Sequence, residues 1–230
     1  MAANEISDRG QAPARTLRQR ITDPSNRMLA LMLSLLLLIV IIPFVSHSWL
    51  TGLFLLIVIL AAVAEVSDRR NVFRWAILLG TPAFILQGLT IAGVHGLQIP
   101  GLVLTVIFFV FILVVLFQHI LHSKVVEAEI LYGAVSCYLL ISYVWAFLYQ
   151  LLYVLEPAAF SYGANEALTG YDFFYFSFIT MTTLGYGDIT PAMDYAKSLA
   201  IIEAIVGVFY TALVVARLVS LYGARSRTTS

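Results

Sequence analysis

A glycine-containing hexapeptide lies towards the end of the 230-residue chain, at residues 183–188 (TLGYGD). A monovalent cation that sheds its water needs replacement oxygens, and rings of backbone carbonyls supply them without a fixed charge that would trap the ion. Successive carbonyls can face one axis only where alternate residues enter conformations with φ above zero, which glycine adopts readily. Gly185 and Gly187 have this alternating spacing. The pattern therefore predicts a cation site whose ligands are the Thr183 hydroxyl and the carbonyls of Thr183, Leu184, Gly185 and Tyr186.

The side chain of Tyr186 is expected to point away from this axis. Packed behind the loop, its ring and hydroxyl would anchor an otherwise strained backbone. The sequence contains no second copy of the hexapeptide and no long internal repeat, so a closed ring of ligands requires several chains. Four chains would supply a column of sites, from which neighbouring ions leave by mutual repulsion.

The composition places this loop in a membrane protein. Hydrophobic residues make up 61% of the chain and charged residues only 11%, well outside the range of a soluble domain. Six apolar runs approach or exceed the roughly 17 to 25 residues that cross a bilayer as a helix. They are residues 28–45, 49–64, 75–94, 99–117, 130–155 and 198–216, the last of which contains one glutamate. The sequence therefore predicts an all-α membrane protein with six transmembrane helices.

A short aromatic stretch, residues 171–182, leads into the hexapeptide. As a helix it would measure about 18 Å, which is enough to enter only half of a membrane before the chain must return. Non-helical backbone at that depth is tolerated only where it is buried or lines a watery cavity. We therefore predict a re-entrant pore helix over 171–182 and a selectivity-filter loop over 183–188, between the fifth and sixth helices of a tetrameric pore.

This arrangement divides the chain into four parts. They are a polar cytoplasmic tail (1–27), a four-helix transmembrane region (28–121), a pore region (129–222) and a short cytoplasmic tail (223–230). With the amino terminus inside, Lys197 is the only one of the thirteen Lys and Arg residues that falls outside. Because basic residues favour the cytoplasmic side, both termini are predicted to be cytoplasmic.

Residues 182–188 (TTLGYGD) resemble the signature of the tetrameric potassium channels. The resemblance extends over about residues 129–222 and includes the aromatic segment 173–176, the segment 188–191 (DITP) and Gly207, whose position resembles the hinge glycine of the family. Within the family, the chain is most similar to bacterial ion channels with six predicted crossings and almost no cytoplasmic domain. This implies a homotetramer in the inner membrane that conducts K⁺ passively, with Thr182, Gly187 and Asp188 supporting the filter.

Two positions depart from the family pattern. Leu184 stands where valine is commonest, a change in an outward-packing side chain that should leave the carbonyl in place. Ile179 occupies a position that is a glutamate in some bacterial members, so a carboxylate pair with Asp188 is not available. We expect Tyr175 to hydrogen-bond Asp188 instead and to support the outer filter.

The fourth apolar run, residues 99–117, is entirely uncharged. Voltage sensing by the usual route needs several arginines along a membrane helix, because each charge moved through the field yields about 2.3 kcal/mol per 100 mV. The four-helix region is therefore predicted to be structural or lipid-facing, without sensor arginines. The sequence leaves the gating stimulus open.

Two residues of the sixth run each have two interpretations. Glu203 is an ionisable group at membrane depth, which is a candidate for gating by default. It could equally be structural, accepting hydrogen bonds from pore-helix hydroxyls such as those of Thr180 or Ser177. Gly207 could be a bend point, since glycine loosens a helix, or it could permit close helix packing.

Counted from Gly207, four further residues of this run fall on one helical face at spacings of three and four. They are expected to line an apolar inner pore that could close by dewetting. These residues are Val208, Thr211, Val215 and Val219.

Two rival functions remain. A secondary transporter would be expected to show paired broken helices or inverted repeats, whereas this chain has one broken segment. A non-conducting scaffold or partner subunit with the channel fold is the second alternative. No nucleophile with a base partner, nucleotide-binding loop or cluster of metal ligands is discernible, so we expect no enzymatic activity, no cofactor and no nucleic-acid partner. The expected partners are K⁺, the lipid bilayer and further copies of the chain.

Overall fold

The computed structural model describes residues 24–41, 56–63, 70–94, 96–123, 128–163 and 167–227. These residues are mostly helical. The helices are α1 (Pro24–Ile41), α2 (described over 56–63), α3 (Arg70–Ile91), α4 (Gln98–His122), α5 (Ala128–Leu155), α6 (Gly170–Met181) and α7 (Asp194–Arg227). A 3₁₀ turn at Pro157–Ala159 and two short strands, β1 (Phe160–Ser161) and β2 (Thr190–Pro191), complete the described structure.

Four of the described helices are long and apolar enough to cross a membrane. They are α3, α4, α5 and the first part of α7, Asp194–Arg217, which makes the chain a multi-pass membrane protein. The apolar part of α1, Ser25–Ile41, is shorter. Residues 42–55 lie outside the described part of the chain, so the count of six crossings stays a prediction. The same holds for most of the predicted amino-terminal tail, 1–23, and for 228–230.

Helix α5 is the centre of the packing. It contacts α1, α4 and α6, and buried residues occur all around it. Phe109 of α4 stacks on Tyr143 and Phe147 of α5, with ring centroids 6.2 and 5.5 Å apart. The Tyr143 hydroxyl donates to the carbonyl of Leu35 in α1 at 2.8 Å. The four-helix region is thus joined to the remainder of the protein through an aromatic core on α5.

A second aromatic cluster holds the short helix α6. Its buried rings are Tyr149 of α5, Phe160 of β1, and Phe173 and Phe176 of α6, with neighbouring centroids 5.0–5.7 Å apart. Such edge-on contacts add to the burial of large apolar surfaces. The cluster fixes α6 against α5 from the side.

The start of α6 and the segment beyond the loop that follows it are both held in place. Thr169 is the N-cap of α6, and its backbone N–H donates to Asp172 Oδ2 at 2.6 Å, which satisfies one free donor of the first turn. Beyond the loop, β2 pairs antiparallel with β1, matching Phe160 with Pro191 and Ser161 with Thr190. The segment between α6 and α7 is therefore positioned by α5 and its carboxyl-terminal extension.

Candidate functional site

The loop predicted as a filter begins directly at the end of α6. The carbonyl of Ile179 accepts hydrogen bonds from the backbone N–H groups of Leu184 at 2.8 Å and Gly185 at 3.1 Å. The N–H of Thr183 donates to the carbonyl of Thr180 at 3.0 Å. Carbonyls at a helix end lack partners within the helix, and here the loop supplies them. The conformation of residues 183–185 is therefore tied to the last turn of α6.

The backbone of the loop alternates in hand. Thr183, Gly185 and Gly187 have φ values of 59°, 51° and 81°, whereas Leu184 and Tyr186 stay at negative φ. Thr183 is the only non-glycine residue with positive φ in the described part of the chain. Alternation between left-handed and right-handed conformations turns successive carbonyls towards one side, which ordinary helix or strand does not do.

The sequence predicted positive φ at Gly185 and Gly187 but not at Thr183. A β-branched residue avoids this region, and holding it there costs on the order of 1–3 kcal/mol. No propensity could have indicated it. The signal available was the period of two set by Gly185 and Gly187, which extends back to Thr183.

The outer end of the loop contains the hydrogen bond expected between Tyr175 and Asp188. The Tyr175 hydroxyl donates to Asp188 Oδ2 at 2.7 Å. The ring of Tyr186 stacks on that of Tyr175, with centroids 6.5 Å apart and planes 6° from parallel.

Within one chain, the loop is otherwise uncovered. Tyr186 is 69% exposed and Leu184 is 55% exposed. The packing expected behind the loop is therefore limited to the stacking on Tyr175. The remaining supporting residues, Thr182, Gly187 and Asp188, are also exposed.

Glu203 lies in the interior, where α5, α6 and α7 meet. It is 0% exposed, and its Oε2 accepts a hydrogen bond from the Tyr149 hydroxyl at 2.6 Å. Two pore-helix hydroxyls were expected as partners of Glu203. Ser177 Oγ lies 2.5 Å from Glu203 Oε1, whereas no hydrogen bond joins Thr180 to Glu203. Tyr149 was missed because nothing in its spacing relates it to a residue of α7. Glu203 thus belongs to the helix packing and not to the exposed face of α7.

Gly207 lies where α7 crosses the end of α6. A Cβ atom at this position would collide with the carbonyl oxygen of Met181 and lie 2.9 Å from Met181 Cγ. Helix α7 continues through Gly207 without interruption. Of the two interpretations, close packing therefore has direct structural support.

The predicted pore-lining residues lie on the uncovered side of α7. Val208, Thr211, Val215 and Val219 are all exposed in the single chain. The Thr211 hydroxyl donates to the carbonyl of Gly207 at 3.0 Å, so it needs no other partner. The exposed face is consequently apolar in character.

Residues 130–223 match a family model described as an ion channel. The match indicates an ion channel domain. It covers α5, α6, the loop and most of α7, nearly the same residues as the predicted pore region 129–222. Neither a curated protein nor a solved structure matches the chain.

One residue of the ion channel domain that sequence reasoning missed is Arg217. Its Nη2 lies 2.5–3.2 Å from the carbonyl oxygens of Ile120, Leu121 and Ser123, at the end of α4. A cation there satisfies free carbonyls and offsets the negative end of the helix dipole. Arg217 caps a helix 94 or more positions away in the sequence, so local spacing could not reveal it.

Proposed function

We propose that four copies of this chain form a potassium-selective channel that conducts K⁺ passively across a membrane. The observation that carries the proposal is the positive φ at Thr183, Gly185 and Gly187, in a loop that follows a short helix within an ion channel domain. Alternation of this kind directs neighbouring carbonyls to one side, and four such loops would enclose an axis of oxygen ligands.

The proposed ligands are the Thr183 hydroxyl and the carbonyls of residues 183–186. Carbonyl dipoles replace the water shell of a dehydrated cation, and several sites in a row let ions leave by repulsion. K⁺ is the permeant ion in this proposal. Conduction down a gradient requires neither a cofactor nor an enzymatic step.

A homotetramer accounts for the uncovered surfaces of the single chain. One loop provides one quarter of a ring, and its Tyr186 and Leu184 side chains stay exposed. Large apolar residues of α7 are exposed as well, among them Ile201, Ile205, Phe209 and Leu213. Neighbouring subunits and lipid would cover these surfaces, while Val208, Thr211, Val215 and Val219 would line the inner pore.

The proposed orientation follows from the basic residues. Both termini are cytoplasmic in the inner membrane, and the loop lies near the outer side. Helix α4 contains no lysine or arginine, so we propose that it does not sense voltage by moving charge through the membrane.

The proposal is tested by ion flux from liposomes that contain the purified protein and an outward K⁺ gradient. We expect the gradient to collapse rapidly, with little Na⁺ flux and with block by Ba²⁺. The variant Gly185→Ala should abolish K⁺ flux, because alanine disfavours the φ of 51° at this position.

Gly93→Ala is the matched control. Gly93 also has positive φ and no heavy atom within 4 Å of an added Cβ, but it lies in the turn after α3, away from the loop. Its variant should conduct like the wild type. Slow, saturable movement coupled to protons or Na⁺ would indicate a transporter, and absence of flux from a natively sized tetramer would indicate a non-conducting scaffold. Either result contradicts the proposal.

A further inference from the structure

The contacts of Ser177 need more hydrogens than Ser177 has. Its Oγ lies 2.5 Å from Glu203 Oε1 and 2.8 Å from the carbonyl oxygen of Ser142. A serine hydroxyl carries one hydrogen, whereas a carbonyl and a carboxylate oxygen are acceptors only. Ser177 can therefore donate to one of the two oxygens. The second contact is a hydrogen bond only if Glu203 itself supplies a proton.

The surroundings of Glu203 also disfavour an ionised carboxylate. The residue is fully buried, and neither ion pair formed by described residues, His119–Glu129 or Lys197–Asp194, involves it. The titratable side chains that face it are Tyr149 and Tyr138 of α5, and α6 contributes the neutral Ser177. A buried carboxylate without a cation is costly unless it takes up a proton.

We propose that Glu203 is a proton-binding site that joins the three helices of the ion channel domain. The protonated Oε1 donates to Ser177 Oγ, Ser177 donates to the carbonyl of Ser142, and Oε2 accepts from the Tyr149 hydroxyl. Each polar atom in this series of hydrogen bonds then has a partner, with one hydrogen in each contact.

Loss of the proton to bulk water changes the attachment of α6. The ionised Oε1 draws the hydrogen of Ser177, and the Ser142 carbonyl loses its serine donor. An uncompensated charge then remains between helices at membrane depth. Because α6 carries the filter loop at its end and packs there against Gly207, we expect alkaline pH to loosen the loop and reduce K⁺ flux. This consequence for flux rests on the proposed function.

Infrared spectroscopy of the full protein in a detergent without ester groups tests the proton directly. A protonated carboxylic acid has a carbonyl stretch that carboxylates and amides lack. We expect a wild-type band at neutral pH that disappears in alkaline medium and is absent from Glu203→Gln. Glutamine preserves the hydrogen bonds, because its amide N–H donates to Ser177 and its carbonyl accepts from Tyr149, so this variant should fold and conduct without the alkaline decline.

The control is Glu156→Gln, which removes an exposed carboxylate at the end of α5 and should leave the band unchanged. Identical acid-stretch regions in wild type and Glu203→Gln at neutral pH would overturn the proton assignment. An equal alkaline decline of K⁺ flux in both would overturn the coupling to conduction. If the wild type carries no K⁺ at any pH, the proposed function fails, while the spectrum still decides whether Glu203 is protonated.

Discussion

Gly207 is a residue of close contact between α7 and the end of α6, and its lack of a Cβ atom is what allows the contact. The space that a Cβ would occupy is filled by the backbone carbonyl and side chain of Met181. Backbone atoms cannot move aside as the end of a flexible side chain can. The position of Gly207 thereby helps to fix the end of the helix that precedes the filter loop.

At this position we expect Gly207→Ala to lower the free energy of unfolding in detergent by about 1–3 kcal/mol, as overpacking does. Gly88→Ala is the matched control, since Gly88 lies inside α3 with no heavy atom within 4 Å of an added Cβ. That change should be neutral or stabilise by about 0.5–1 kcal/mol. If Gly207→Ala unfolds like the wild type, the glycine acts in bending and not in packing.

The sequence predicted those residue contacts that depend on side-chain chemistry. The pairs Tyr175–Asp188 and Ser177–Glu203 follow from donors and acceptors that must meet once the helices are placed. It did not predict the positive φ of Thr183, because the surrounding hydrogen bonds of α6 impose that conformation against the preference of threonine. Tyr149 as a partner of Glu203 also depends on how α5 and α7 lie together.

Helices α4 and α7 are joined at one end by Arg217, which places its guanidinium on the last carbonyls of α4. This contact links the four-helix region to the helix proposed to line the pore. It sets the distance between the two helix ends by hydrogen bonds. A displacement of α4 would therefore be felt by α7.

We expect Arg217→Gln to cost about 1–2 kcal/mol of stability, from lost bonds to carbonyls and from the uncompensated helix end. Hydrogen exchange should become faster in the last turn of α4. Lys197→Gln removes a charge from the exposed opposite end of α7, where Lys197 pairs only with Asp194, and should change stability by no more than about 0.5 kcal/mol. Unchanged exchange at the end of α4 in Arg217→Gln would show that the cap has no stabilising effect.

The bounds of the elements were predictable where apolar runs end abruptly. The run at 130–155 became α5 (Ala128–Leu155), and the aromatic stretch at 171–182 became α6 (Gly170–Met181). Helix α7 begins at Asp194, before its predicted start at residue 198, because an acidic residue in the first turn is favourable although it is not apolar. The cap by Arg217 required knowledge of which helices lie together.

A single chain leaves large apolar surfaces exposed. Its filter loop is one quarter of the proposed ring, and the apolar side of α7 lacks cover. The single TLGYGD segment predicts a ring built from several copies, and this stays a prediction. The surfaces that such a ring would bury could not be predicted from the sequence, because they depend on how α7 lies relative to α5 and α6.

The K⁺ selectivity of the proposed filter is tested most directly by the reversal potential of currents through the purified protein in a planar bilayer. The two sides hold different K⁺ concentrations, and Na⁺ balances the salt. A selective carbonyl filter predicts a shift of about 59 mV for each tenfold change in the K⁺ gradient, as expected for one monovalent charge. Currents whose reversal potential stays near zero across the same gradients would show that K⁺ and Na⁺ pass equally, and would contradict the assignment of residues 183–186 as a potassium filter.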